Sequence, residues 1–149
     1  TYELHYDLPH LNELTDDYRF LANDPEQLKE LTQLRWLADK TIEMTLSNFY
    51  SASEIRIWPH LFDTGALAYF DKSKKVSVGL GLAIPDDKVD DWYFYISGYH
   101  GSDPIKTDNF KPLKNGEWRS GEWNAAILKA SGKSLPIFSS FINEALKAF

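Results

Sequence analysis

Between residues 76 and 84 large and small side chains alternate without a fault. Val76, Val78, Leu80, Leu82 and Ile84 fall on one side; Ser77, Gly79, Gly81 and Ala83 fall on the other. A period of two is the signature of a strand with one face turned to a core. The same period returns at 92–100, where Trp92, Phe94 and Ile96 oppose Tyr93, Tyr95, Ser97 and Tyr99. Two more strands are predicted upstream. One covers 53–62, with Pro59 confining part of it to an edge or a bend, and one covers 66–70, after a turn at Asp63-Thr64-Gly65. The polar loop at 71–75 and the acidic loop at 85–91 are short, which implies an antiparallel meander of four strands. Asn115-Gly116 adds a small hairpin between 110–113 and 117–120.

Helical periodicity flanks these strands. Leu8, Leu11, Leu14, Tyr18 and Leu21 lie three and four residues apart and predict a helix over 9–21. Asp24-Pro25-Glu26-Gln27 combines a capping acid, a proline for the first turn and a glutamine to close a capping box. The helix it opens runs to Phe49 without a glycine or proline. A short helix is expected over 122–130, ending before Gly132. The last, over 135–149, has Ser134 as its cap and a stripe of Phe138, Phe141, Ile142, Ala145, Leu146 and Phe149. Helices, then strands, then helices predict an α+β fold: an antiparallel sheet of four to six strands with the N-terminal and C-terminal helices on one face. No linker or repeat divides the chain, so residues 1–149 are expected to form one compact domain.

Composition narrows the picture. Hydrophobic residues make up 43% and charged residues 26%, the balance of a folded protein, and nine Phe, eight Tyr and five Trp promise an aromatic core. No apolar run approaches the roughly 20 residues of a membrane span, and the first ten residues carry too much charge for a secretory leader. The absence of cysteine excludes disulfides, thiolate metal sites and thiol nucleophiles, and fits a cytoplasmic setting. The net charge is −6, with acids concentrated toward the front and bases toward the end. The bases are too scattered for a phosphate-binding surface, so neither a nucleic acid nor a membrane is expected as partner.

Several groups carry candidate chemistry. The small face of 76–84 invites close approach by a ligand, a helix, or a Tyr or Trp from a neighbouring strand. Tyr95, Tyr99, His100 and Trp118 are the candidate ligand-binding residues. Tyr93 joins Tyr95 and Tyr99 on one face, but His100 has the opposite parity and converges with them only if the strand bulges near Gly98. His100-Gly101-Ser102-Asp103 holds the residue types of a hydrolase triad, compressed too closely to act as one. The histidines, at 5, 10, 60 and 100, form no metal-ligating pair. Asp86, Asp87, Asp90 and Asp91 lack the spacing of a calcium loop and read as a solvated turn. Glu117 and Glu122 beside Trp118 and Trp123 have the carboxylate-and-aromatic composition of sugar sites. The sequence predicts no cofactor, no metal and no catalytic residue. The leading expectation is a small acidic, non-catalytic module that binds a protein partner, of adaptor, chaperone or inhibitor type, or self-associates as a homodimer. The alternative is a small-molecule site or an enzyme, with a pocket between helices and sheet.

Overall fold

The computed structural model describes residues 25–59 and 61–149. The helix expected over 9–21, the Asp24 cap, His5, His10 and His60 lie outside the described residues. The first described element, α1 (Pro25–Leu46), follows the predicted helix but stops three residues early. Its 22 residues make a rod of about 33 Å. Leu34, Ala38, Thr41, Ile42 and Thr45 form its buried stripe. The two buried threonines satisfy their hydroxyls on carbonyls one turn back, those of Leu37 and Thr41.

Eight strands follow: β1 (Ser51–Ala52), β2 (Arg56–Ile57), β3 (Thr64–Tyr69), β4 (Val76–Ala83), β5 (Tyr93–His100), β6 (Asp103–Pro104), β7 (Glu117–Arg119) and β8 (Ala125–Lys129). The chain then forms α2 (Leu135–Leu146). The strands build one antiparallel sheet in the order β1-β3-β4-β5-β8-β7, with β2 also pairing β3 and β6 pairing β5. The fold is α+β, and the sheet has more strands than the four to six expected.

Both helices pack on the same face. α1 lies against β3 and β4, and α2 against β5 and β8. The core between them gathers the large residues of the alternating strands: Val78, Leu80 and Leu82 from β4, Phe94 and Ile96 from β5, and Ala126 and Leu128 from β8. Ile42, Phe138, Phe141 and Ile142 close it from the helices. The rings of Phe94 and Phe138 meet at 4.1 Å between centroids, tying sheet to α2.

Three local expectations give way. The stretch at 122–130 is a strand and not a helix. Ala125 and Ile127 are buried on one face, Ala126 and Leu128 on the other, because β8 sits between β5 and β7. An apolar run buried on both sides loses its alternation, and here tertiary burial overrides alanine's helical preference. Of the single strand expected over 53–62 only the two residues of β2 form, with β1 just before them, after which the chain folds into a turn. The Trp58 amide donates to the Asp63 carbonyl and the Phe62 amide to the Trp58 carbonyl. The turn thus falls before Asp63-Thr64-Gly65, and Thr64 already opens β3. Finally, 117–119 pairs with β8 and not with 110–113, which forms no strand. Gly116 sits at φ +88°, where a β-carbon would lie 2.3 Å from the Ile127 carbonyl oxygen, so the Asn115-Gly116 turn delivers the chain directly onto β8.

Phe138 is fully buried, so Phe138→Ala is expected to lower stability by about 3–5 kcal/mol in urea unfolding. Met44→Ala, at a residue 59% exposed on α1, should change it by less than about 0.5 kcal/mol.

Candidate functional site

The opposite face of the sheet is built from the small residues of β4 and the tyrosines of β5. Gly65, Gly81 and Tyr95 stand in one cross-strand row. A β-carbon on Gly81 would lie 2.6 Å from the Thr64 carbonyl oxygen and 2.8 Å from the Tyr95 hydroxyl. One on Gly65 would lie 2.9 Å from the Leu80 carbonyl oxygen and 3.0 Å from the same hydroxyl. The Tyr95 side chain therefore lies down across β3 and β4, over two positions whose missing β-carbons leave it room. Its hydroxyl ends 2.5 Å from Asp63 Oδ2, to which it donates. Trp123 stands beside it, with ring centroids 6.0 Å from Tyr95 and 6.1 Å from Tyr93, and its indole N–H donates to Ser97 Oγ at 3.1 Å.

These side chains floor an open cleft of about 700 Å³. Trp58, Pro59 and residues 61–63 border it on one side, residues 83–88 on another, and Glu122 and Trp123 complete the rim. Behind the first border, Arg35 of α1 donates one guanidinium N–H to the Phe62 carbonyl at 2.8 Å and another to the Thr64 hydroxyl at 2.5 Å. The two bonds bracket Asp63. Phe62 sits at φ +54°, an uncommon conformation for a bulky residue, and its exposed ring stands at the mouth of the cleft.

Two tyrosine–aspartate pairs line the cleft, and they differ. Asp86 is exposed on its loop and fully engaged: Oδ2 accepts from the Tyr93 hydroxyl at 2.7 Å, and Oδ1 accepts from the Lys88 and Val89 amides at 2.8 and 2.9 Å. Partial burial works to raise its pKa, but these hydrogen bonds and the nearby Lys88 charge together hold it below the ordinary carboxylate value. Asp63 is 7% exposed, and only its Oδ2 is engaged. Oδ1 is buried with no hydrogen-bond partner. Both tyrosine hydroxyls are pushed well above their ordinary pKa, first by burial and then by the facing aspartate.

The structure brings Tyr95 and Tyr99 together in this cleft and places His100 and Trp118 elsewhere. β5 pairs with β4 in unbroken register from Tyr93 to His100, so no bulge turns His100 toward Tyr99. It sits exposed at the strand end, facing Asp103. Trp118 packs edge-on against Phe110 and Phe149 beside the main core, and its N–H donates to the Lys111 carbonyl. Glu117 pairs with Arg119 at 2.8 Å, and Trp118 and Trp123 join different clusters, the main core and the smaller one on the cleft side. The cleft also lies on the side of the sheet away from the helices. Asp63 escaped the sequence reading because it was assigned to a turn. The signal that could have found it is the pair of glycines at 65 and 81, whose register opposite Tyr95 points the ring at that edge.

Asp87, Asp90 and Asp91 are bonded to Lys88, Lys129 and Ser131 and serve to hold their loop. Among the described residues no cluster of three or more histidine or acidic side chains is placed to hold a metal, and no helix is long and apolar enough to cross a membrane.

Gly81→Ala must move the Thr64 backbone, and is expected to cost about 1–3 kcal/mol. Gly79→Ala, on the same face with its nearest neighbour a Tyr99 carbon at 3.9 Å, should fold normally; paired thermal melts check the contrast. The raised tyrosine pKa values also set an alkaline limit. Their contribution to stability is complete below the unfolded tyrosine pKa of about 10 and is lost as pH climbs above it toward the folded values. In a spectrophotometric titration Tyr93 and Tyr95 should ionise only as the chain unfolds, and Tyr93→Phe/Tyr95→Phe should remove that late step. No family model, curated protein or solved structure matches this chain, so the reading of the cleft rests on its own geometry.

Proposed function

We propose that this protein is a non-catalytic binding domain whose ligand site is the cleft between β5, residues 61–63 and residues 83–88. The observation that carries the reading is the cleft itself. Its volume of about 700 Å³ lies within the range of small-molecule sites, and it combines aromatic walls with a few convergent polar groups. Its chemistry favours holding over reacting. Acid–base catalysis works best with groups that titrate near the operating pH, and Tyr93 and Tyr95 are shifted away from it. Ser97 hydrogen-bonds an indole N–H and has no base beside it among its described partners.

A fragment screen by ligand-observed NMR tests this. Compounds with an aromatic or aliphatic body are expected to bind the wild-type domain and perturb tryptophan fluorescence. Their affinity should fall by about tenfold or more in Trp123→Leu, equivalent to about 1.4 kcal/mol. A screen in which no compound binds, or in which every hit ignores Trp123→Leu and Tyr99→Leu, counts against the cleft.

A second reading, as a protein-binding or self-associating module, is supported by the apolar side chains exposed around the cleft mouth: Trp58, Leu61 and Phe62. It predicts a concentration-dependent molecular mass in analytical ultracentrifugation, lost in Leu61→Asp/Phe62→Asp; a concentration-independent monomer rejects self-association.

A further inference from the structure

We infer that the ligand of the cleft is an organic cation, with an ammonium or guanidinium head seated on Asp63 and an apolar body against the surrounding rings. The inference rests on the reading of the cleft as a binding site and adds the class of ligand.

Asp63 supplies the first argument. A carboxylate so deeply buried normally has every lone pair occupied by a donor or a cation. Asp63 receives one hydrogen bond, from Tyr95, and none at Oδ1. No lysine or arginine forms an ion pair with it among the described residues. Arg35, the base nearest in the hydrogen-bond network, spends its N–H groups on the neighbouring Phe62 carbonyl and Thr64 hydroxyl. What is missing at Asp63 is a donor, and one bearing positive charge makes the strongest bond to a carboxylate.

The remaining lining agrees. Among the described residues, Asp63, Asp86, Asp87 and Glu122 face the cleft together with one base, Lys88, which is already paired with Asp87 at 3.1 Å. That balance repels anions and draws cations. Tyr93, Tyr95, Tyr99 and Trp123 supply ring surfaces of the kind that attract an ammonium or guanidinium group, or stack on an aromatic body. A bare metal ion fits less well. Asp86 has both oxygens engaged by protein donors, and no cluster of three acidic or histidine side chains is present among the described residues. A buried carboxylate with one unpartnered oxygen, at the margin of a cleft walled by rings, suits an organic cation.

The test is calorimetry on the intact chain with three probes of one shape: 2-phenylethylamine, 2-phenylethanol and phenylacetate. The amine is expected to bind at least about tenfold more tightly than the alcohol, and the acid most weakly. Asp63→Asn, which keeps the shape and removes the charge, should abolish the amine's advantage while leaving alcohol affinity within about threefold of wild type. Equal binding of amine and alcohol, or preference for the acid, overturns the cation assignment while leaving the cleft as a binding site. No binding by any of the three, up to about 10 mM, overturns both. The wild-type ranking decides the matter even if Asp63→Asn fails to fold.

Discussion

The Tyr95 hydroxyl reaches Asp63 across two glycines, and the architecture of the sheet's open face follows from that contact. A tyrosine on a central strand would ordinarily stand upright from the sheet. Here Gly65 and Gly81 lack the β-carbons that would hold the ring up, so it lies flat along the cross-strand row and its hydroxyl arrives at the sheet margin. The carboxylate that receives it is fixed from behind, because Arg35 clamps the residues on either side of Asp63 to α1. The contact joins the helical layer, the sheet and the rim of the cleft through one short chain of hydrogen bonds.

The alternation in β4 and β5 accounts for both faces at once. Side chains at even positions from Val78 to Leu82, with Phe94 and Ile96, meet α1 and α2 and exclude water. Those at odd positions divide the labour differently: β4 contributes almost no bulk, and β5 contributes the rings. A face with bulk on both strands would close as a second core. One with bulk on neither would be flat. Large residues beside small ones leave relief, and the bordering loops deepen it into a cleft. A smaller apolar cluster of Ala83, Val89, Tyr93, Ala125 and Ile127 anchors one end of that relief and keeps it from spreading across the whole face.

The long alternating strands, the capped helices and the α+β layering were legible in the sequence because each carries a local period or a stop signal. Tyr95 and Tyr99 were legible as a shared face for the same reason. The misreadings share a different cause. Residues 125–128 are apolar at every step, and such a run has no period to read; its state was set by the neighbours β5 and β7. His100 and Trp118 carried suggestive chemistry, but their positions depended on register and on where the segment after Phe110 returned to the sheet. Asp63 is the clearest case. Nothing local distinguishes it from the other aspartates, and its character comes from Tyr95, 32 residues away in sequence.

The contrast between Asp63 and Asp86 shows how one fold makes two carboxylates unlike. Both accept a tyrosine hydroxyl from β5, but Asp86 belongs to a loop whose own amides turn inward, so Lys88 and Val89 fill its second oxygen and the pair becomes a structural staple. Asp63 lies at the mouth of a strand, where the Trp58 and Phe62 amides donate to the Asp63 and Trp58 carbonyls and not to its carboxylate. An unpaired buried acceptor costs about 1–3 kcal/mol, a sizeable share of a domain's net stability of about 5–15 kcal/mol. A fold maximising stability alone would place a second hydroxyl or amide at Oδ1, as it does for Asp86. The unpartnered oxygen stands where the rings, the relief of the sheet and the surplus of negative charge meet. An incoming N–H donor recovers at that oxygen the interaction energy that folding left unspent.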